Sequence, residues 1–193
     1  MKAIFERTSE KQYAIHAVRP GFPDATMDPA PGFDPLLPHD VMHLVVEASL
    51  GLDDGVFGQL AKGGLAGTFR IRPDGSLSKR EMTRLRRRSD SVDEKLLRKG
   101  RRDSERSERA TYICWYEWLK RSQSAARRKS AKEMSANAAH IRATAPTDEI
   151  AALDLETLEK ICSRLDVLSA CWSGKGVGEK MTIAWPDVKI LQE

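Results

Sequence analysis

The stretch Leu37-Pro38-His39-Asp40-Val41-Met42-His43-Leu44-Val45-Val46-Glu47, continued by Ala48-Ser49-Leu50-Gly51, decides how this chain is read. Pro38 stands near the first turn and Gly51 just past the end, which predicts a helix over 38–50, the strongest local helix signal in the chain. At about 100° per residue, His39 falls at about 0°, His43 at about 40°, Glu47 at about 80° and Asp40 at about 100°. Val41, Met42, Leu44, Val45, Val46, Ala48 and Ser49 fill the arc from about 140° to about 340°. The helix is therefore apolar around most of its circumference, and its strongly polar residues share one stripe. Leu50 is the one apolar residue inside that stripe.

Outward from this helix the pattern alternates between strand and helix signals. Residues 2–7 and 12–18 are short β-leaning runs, and Thr8-Ser9-Glu10-Lys11 between them suits a hairpin loop. Pro20 to Pro38 contains six of the nine prolines and predicts an extended connection rather than a helix or an inner strand. A short helix is expected at Val56–Lys62 and a turn at Arg72-Pro73-Asp74-Gly75. Residues 77–88 and 104–121 have helical patterns, and Ser122 to Ala145 is small, polar and basic. Leu155, Leu158, Ile161, Cys162, Leu165 and Leu168 recur at helical spacing and place an amphipathic helix over 154–172. Met181 to Trp185 reads as a strand closed by Pro186.

The expected fold class is α+β: mostly helical, with a small antiparallel sheet made from the N-terminal hairpin and the C-terminal strand. Residues 1–75 carry the hairpin, the proline-rich connection and the histidine helix. Residues 76–133 form a basic helical insert, and 134–193 return to complete the same core.

Composition narrows the function. The chain has 193 residues, ample for a hydrophobic core, and 31% of them are charged with both signs present. No uncharged apolar run approaches the roughly 18 residues of a membrane helix, so no membrane partner is expected. Met1-Lys2-Ala3-Ile4-Phe5-Glu6-Arg7 reaches charge too soon for a secretory signal. Cys114, Cys162 and Cys171 form no CxxC pair, which argues against a disulfide framework or zinc finger and for a reducing, cytoplasmic setting.

The net charge of +4 conceals a segregation. Residues 70–132 hold 21 Lys/Arg and 9 Asp/Glu, so the remainder of the chain is acidic. Segregation of this kind marks nucleic-acid, surface or docking roles. Arg84, Arg86, Arg87 and Arg88, then Arg98, Lys99, Arg101 and Arg102, are the candidate polyanion-binding residues. The aromatic run Tyr112 to Trp118 lies among basic stretches, but Tyr112, Trp115, Tyr116 and Leu119 also share one helix face and read as packing.

The histidine helix carries the candidate chemistry. His39 and His43 repeat the i,i+4 spacing that lets two imidazoles share one ion, with Asp40 where the zinc-protease helix has its glutamate. Asp40 is then the candidate general base on a metal-bound water, with a shorter reach than glutamate. Glu47 lies about 12 Å along the axis from His39, so it reads as a partner of His43 or a substrate contact rather than a ligand. Zinc, iron or manganese would suit the pair, and His16, His140 or a carboxylate would supply a third ligand. Gly174-Lys175-Gly176-Val177-Gly178 resembles a phosphate loop but follows a helix and precedes a strand, the reverse of the required order.

The residues Pro31-Gly32-Phe33, Leu37-Pro38-His39-Asp40-x-x-His43, Val46-Glu47, Gly51-Leu52 and Gly55-Val56-Phe57-Gly58 together resemble a family of small bacterial proteins with no known activity. A run ending Thr182-Ile183-Ala184-Trp185-Pro186 is similar as well. The resemblance implies a shared fold over about half the chain and leaves the basic middle outside it. The HD-x-x-H helix is also similar to that of the zinc-binding ubiquinone-biosynthesis scaffold proteins, whose later glutamate falls at Gly55 here, where the pattern breaks. Three functions follow as expectations: a metal-binding, water-activating hydrolytic site on helix 38–50; a nucleic-acid or other polyanion-binding module using residues 76–132; and a non-catalytic module that docks an acidic protein.

Overall fold

The computed structural model describes residues 1–72 and 75–192. The turn expected at 72–75 falls partly outside them. The fold is α+β and mostly helical, around one antiparallel sheet. Six strands lie in it: β1 (Lys2–Ser9), β2 (Gln12–Val18), β3 (Ala25–Ala30), β4 (Arg70–Ile71), β5 (Lys180–Ala184) and β6 (Lys189–Leu191), in the order β4-β3-β2-β1-β5-β6. The hairpin and the C-terminal strand meet as expected: β1 pairs with β2 on one side and β5 on the other, with Phe5 opposite both Ile15 and Met181.

The proline-rich segment corrects one expectation. It supplies β3, an inner strand between β2 and β4. Pro29 is tolerated because the ladder to β2 breaks register between Tyr13 and Ile15, and β4 pairs only with Ala25 and Thr26. The missing amide therefore falls where no regular ladder bond is required.

Six helices complete the fold: α1 (His39–Leu50), α2 (Val56–Ala61), α3 (Lys79–Lys120), α4 (Ala125–Thr144), α5 (Thr147–Ala151) and α6 (Leu155–Ser173). The two helices expected within 77–121 are one continuous helix of 42 residues. Its start is fixed by a capping box, in which Ser78 and Glu81 bond each other's backbone amides. Gly100 does not break it, because that position is packed. A Cβ at Gly100 would run into the Asp54 carbonyl and the Gln59 amide, so glycine lets the helix lie flush on the loop before α2.

The core lies between the sheet and the helices. Inward residues of β1 and β2 alternate as strand geometry requires, and Phe5, Tyr13, Ile15 and Ala17 are fully buried. Phe5 packs on Phe57 of α2, and Tyr13 meets Trp172 of α6 edge-on at 6.2 Å. Val41, Leu44, Val45 and Val46 of α1 are completely buried. Ala110, Ile113, Cys114, Trp118 and Leu119 of α3 join the same core, so the basic segment is continuous with the rest of the fold. No helix among the described residues is long and apolar enough to cross a membrane.

Candidate functional site

His39, His43 and Glu47 of the polar stripe of α1 face α3. Ser107, Glu108, Thr111 and Trp115 recur at three- and four-residue spacing and so share one side of that helix. That side meets His39 and His43.

His43 is 4% exposed. Its Nδ1 lies 2.8 Å from the Ser107 hydroxyl and 3.3 Å from the Thr111 hydroxyl. The Ser107 hydroxyl in turn donates to Glu47 Oε1 at 2.9 Å. A serine has one proton to give. With that proton on Glu47, the hydroxyl oxygen faces His43 Nδ1, so Ser107 engages one ring nitrogen and leaves Nε2 as the other. Burial, and then the adjacent His39 ring, push the His43 pKa down to about 3 and keep the ring neutral. Nε2 looks toward Glu108, whose Oε2 lies 3.6 Å away on a side chain that is 69% exposed.

The half-buried His39 ring lies edge-on to His43, with centroids 4.6 Å apart, and packs near Trp115 at 5.8 Å. Its position is set from outside the helix. The His39 amide donates to the Gly32 carbonyl at 3.2 Å. Gly32 has φ +74°, and a Cβ there would stand 2.9 Å from the His39 Cβ. A glycine therefore lets the Pro31-Gly32-Phe33 turn close over the histidine.

Glu47 is completely buried and works as a junction. One oxygen accepts from the Val56 amide and the other from the Phe57 amide, each at 2.9 Å. Those amides open α2, so the carboxylate satisfies backbone donors that the helix itself leaves unpaired. Gly55 makes room, since a Cβ there would lie 2.5 Å from the Glu47 carboxyl carbon. Burial raises the acid's pKa while its donors pull it down, and the balance is about 7.

Asp40 is engaged elsewhere. Its carboxyl bonds the Tyr13 hydroxyl of β2, which also bonds the Pro31 carbonyl. Burial raises the Asp40 pKa against the pull of the Tyr13 bond. Asp40 thus locks the helix start to the sheet, and its role as a general base on water loses the free carboxylate it requires.

His16 lies on the opposite face of the sheet from the buried Ile15 and Ala17, bonded to Glu6 and Thr26. His140 is exposed on α4. Neither joins the histidine pair. Among the described residues, no group of three or more His, Cys, Asp or Glu side chains is arranged to hold a metal ion.

The basic residues divide. Lys99 pairs with Asp54 at 2.7 Å, Arg101 with Glu105 at 2.9 Å and Arg102 with Asp148 at 3.3 Å. Arg84, Arg86, Arg87, Arg88 and Arg98 are exposed and make no ion pair among the described residues. In the aromatic run, Trp118 is buried and donates to Asp166 at 2.8 Å, and Tyr112, Trp115 and Tyr116 are half-buried. The glycines at 174–178 connect α6 to β5. Sequence reasoning missed Ser107, Glu108 and Thr111. The available signal was two polar residues, Ser107 and Thr111, on the line of α3 that otherwise reads Ala110, Cys114, Trp118. No protein-family model, curated protein or solved structure matches the chain.

Proposed function

We propose that the crossing of α1 and α3 binds a divalent transition-metal ion through His39, the Nε2 of His43 and the carboxylate of Glu108. The observation that carries this reading is the way His43 is held, with Nδ1 engaged from behind and Nε2 facing a carboxylate. Nδ1 lies 2.8 Å from the Ser107 hydroxyl, which donates to buried Glu47, and Nε2 lies 3.6 Å from Glu108; in the metal-bound protein the ring hydrogen would sit on Nδ1 and Nε2 would be free to bind. Metal-binding imidazoles are typically oriented this way, from behind.

The spacing supports the same reading. Two donors each about 2.1 Å from one tetrahedral ion stand about 3.4 Å apart. His43 Nε2 and Glu108 Oε2 stand 3.6 Å apart. Closing the site takes a turn of His39, whose ring has no hydrogen-bond partner among the described residues. Two imidazoles and one carboxylate suit zinc, iron or manganese. Such a set leaves a coordination position for water, and an ion there would make that water acidic enough to attack an ester or amide.

The test is calorimetric titration of the purified protein with Zn²⁺, Mn²⁺ and Fe²⁺, with elemental analysis alongside. About one equivalent is expected, lost in His43→Gln, and weakened about 10- to 100-fold in Ser107→Ala. Uptake below about a tenth of an equivalent of all three ions, in protein with unchanged circular dichroism, would overturn the reading.

A further inference from the structure

The long helix α3 carries a second feature that the metal reading does not use. Its inner line, Met82, Leu85, Ser89, Asp93, Leu96 and Gly100, lies on the body of the protein. Asp93 accepts the Leu65 amide at 2.5 Å, and Leu96 packs against Gly64. The outer line is different. Counted at about 100° per residue from Arg80, the residues Arg84, Arg87, Ser91, Lys95, Arg98 and Arg102 all fall within an arc of about 80°. The inner line is centred about 180° away.

Every residue on that outer line is exposed, and none is acidic. Arg102 reaches Asp148, while Arg80, Arg84, Arg87, Lys95 and Arg98 make no ion pair among the described residues. Their spacing of three or four residues sets successive cations about 5–6 Å apart, over about 33 Å from Arg80 to Arg102. One turn of a nucleic-acid duplex is about 34–36 Å long. Packing along the inner line holds the row straight, so the cations are in place before any partner arrives. The sequence clusters pointed at this region, but the geometry redraws the set. It adds Arg80 and Lys95, and it sets Arg86, Arg88, Lys99 and Arg101 aside because they fall outside that arc.

We propose that this outer line of α3 binds the phosphate backbone of double-stranded nucleic acid without regard to sequence. Phosphate contacts of this kind fix position without reading bases. A single-strand platform would need exposed aromatics among the cations, and residues 79–102 contain no aromatic residue at all. The proposal is independent of the metal site, since none of its residues touches His39, His43 or Glu108.

The experiment is fluorescence anisotropy with a labelled 30-base-pair DNA duplex of arbitrary sequence. Six neutralised phosphates give a slope of about −5 in log affinity against log salt, so raising salt from about 50 to about 200 mM weakens binding about a thousandfold. The variant Arg84→Gln/Arg87→Gln/Arg98→Gln removes three contacts, halves that slope and weakens low-salt binding at least about tenfold. Arg127→Gln/Arg128→Gln/Lys132→Gln on α4 removes the same charge elsewhere and should bind within about threefold of the parent. Circular dichroism confirms that both variants are folded. No binding of the duplex at micromolar protein in low salt would overturn the proposal. So would equal losses in the two variants, which would indicate bulk charge, or capture of an acidic polypeptide such as polyglutamate under conditions where the duplex does not bind.

Discussion

Glu47→Gln tests whether burial or hydrogen bonding governs the charge at the centre of this fold. The carboxylate is fully buried, which favours the neutral acid, yet it faces the Val56 and Phe57 amides and the Ser107 hydroxyl, which favour the anion. Burial is the larger influence and lifts the pKa from 4.5 to about 7. The folded state therefore holds its proton more tightly than the unfolded chain does. The stability tied to that proton is fully present below pH 4.5, declines as pH rises, and is lost above about pH 7. At ~1.4 kcal/mol per pH unit, the loss amounts to about 3 kcal/mol. Glutamine stays neutral throughout. Its Nε2 would oppose one of the backbone donors, costing about 1–3 kcal/mol at any pH. Urea denaturation of both proteins from pH 4.5 to about pH 8 should show the parent's advantage shrinking by about 3 kcal/mol across that range. Asp40, whose pKa is also raised, titrates in both proteins and cancels from the difference. An advantage that is flat, or that grows with pH, would mean that the three donors outweigh burial and that Glu47 is ionised in the native protein.

Two further outcomes follow from packing and burial. Gly58→Ala should cost about 1–3 kcal/mol by urea denaturation, because its Cβ would be driven into the Asp53 carbonyl, whereas Gly75→Ala, with open space around it, should stay within about 0.5 kcal/mol of the parent; equal effects would refute that account. Cys171 is half-buried, while burial pushes the Cys162 thiol to about 11 and the Cys114 thiol higher still. A disulfide reagent at about pH 8 should therefore label one thiol rapidly in native protein and three in urea, and rapid labelling of Cys114 would contradict its burial.

Much of the secondary structure was legible because it is encoded locally. The hairpin, the Pro38–Gly51 limits of α1 and the apolar spacing of α6 each come from turn chemistry or periodicity within a short window. The single helix α3 was not legible. Gly100 and the dense charge of residues 84–106 interrupt the local pattern, and the close packing of Gly100 on the loop before α2 depends on residues that lie 41 to 46 positions away in the chain. Pro29 misled for a related reason. A proline weakens a strand only where its amide would be used, and here Asp28 and Pro29 together stand opposite Ala14, an irregularity defined only once β3 is paired with β2.

The same division runs through the candidate site. The sequence by itself determined that His39, Asp40, His43 and Glu47 share one stripe, because a helix's period fixes which of its own residues face together. It could not determine their partners. Ser107 lies 60 residues from Glu47 and 64 from His43, and Tyr13 lies 27 from Asp40. Those separations are closed by the sheet and by the crossing of α1 with α3. The packing of the whole chain is what bonds Asp40 to a tyrosine, sets Glu47 at the start of α2 and brings His43 Nε2 to 3.6 Å from Glu108. The physical reason is that the period of a helix is short-ranged, whereas a hydrogen bond depends on positions set by the whole core.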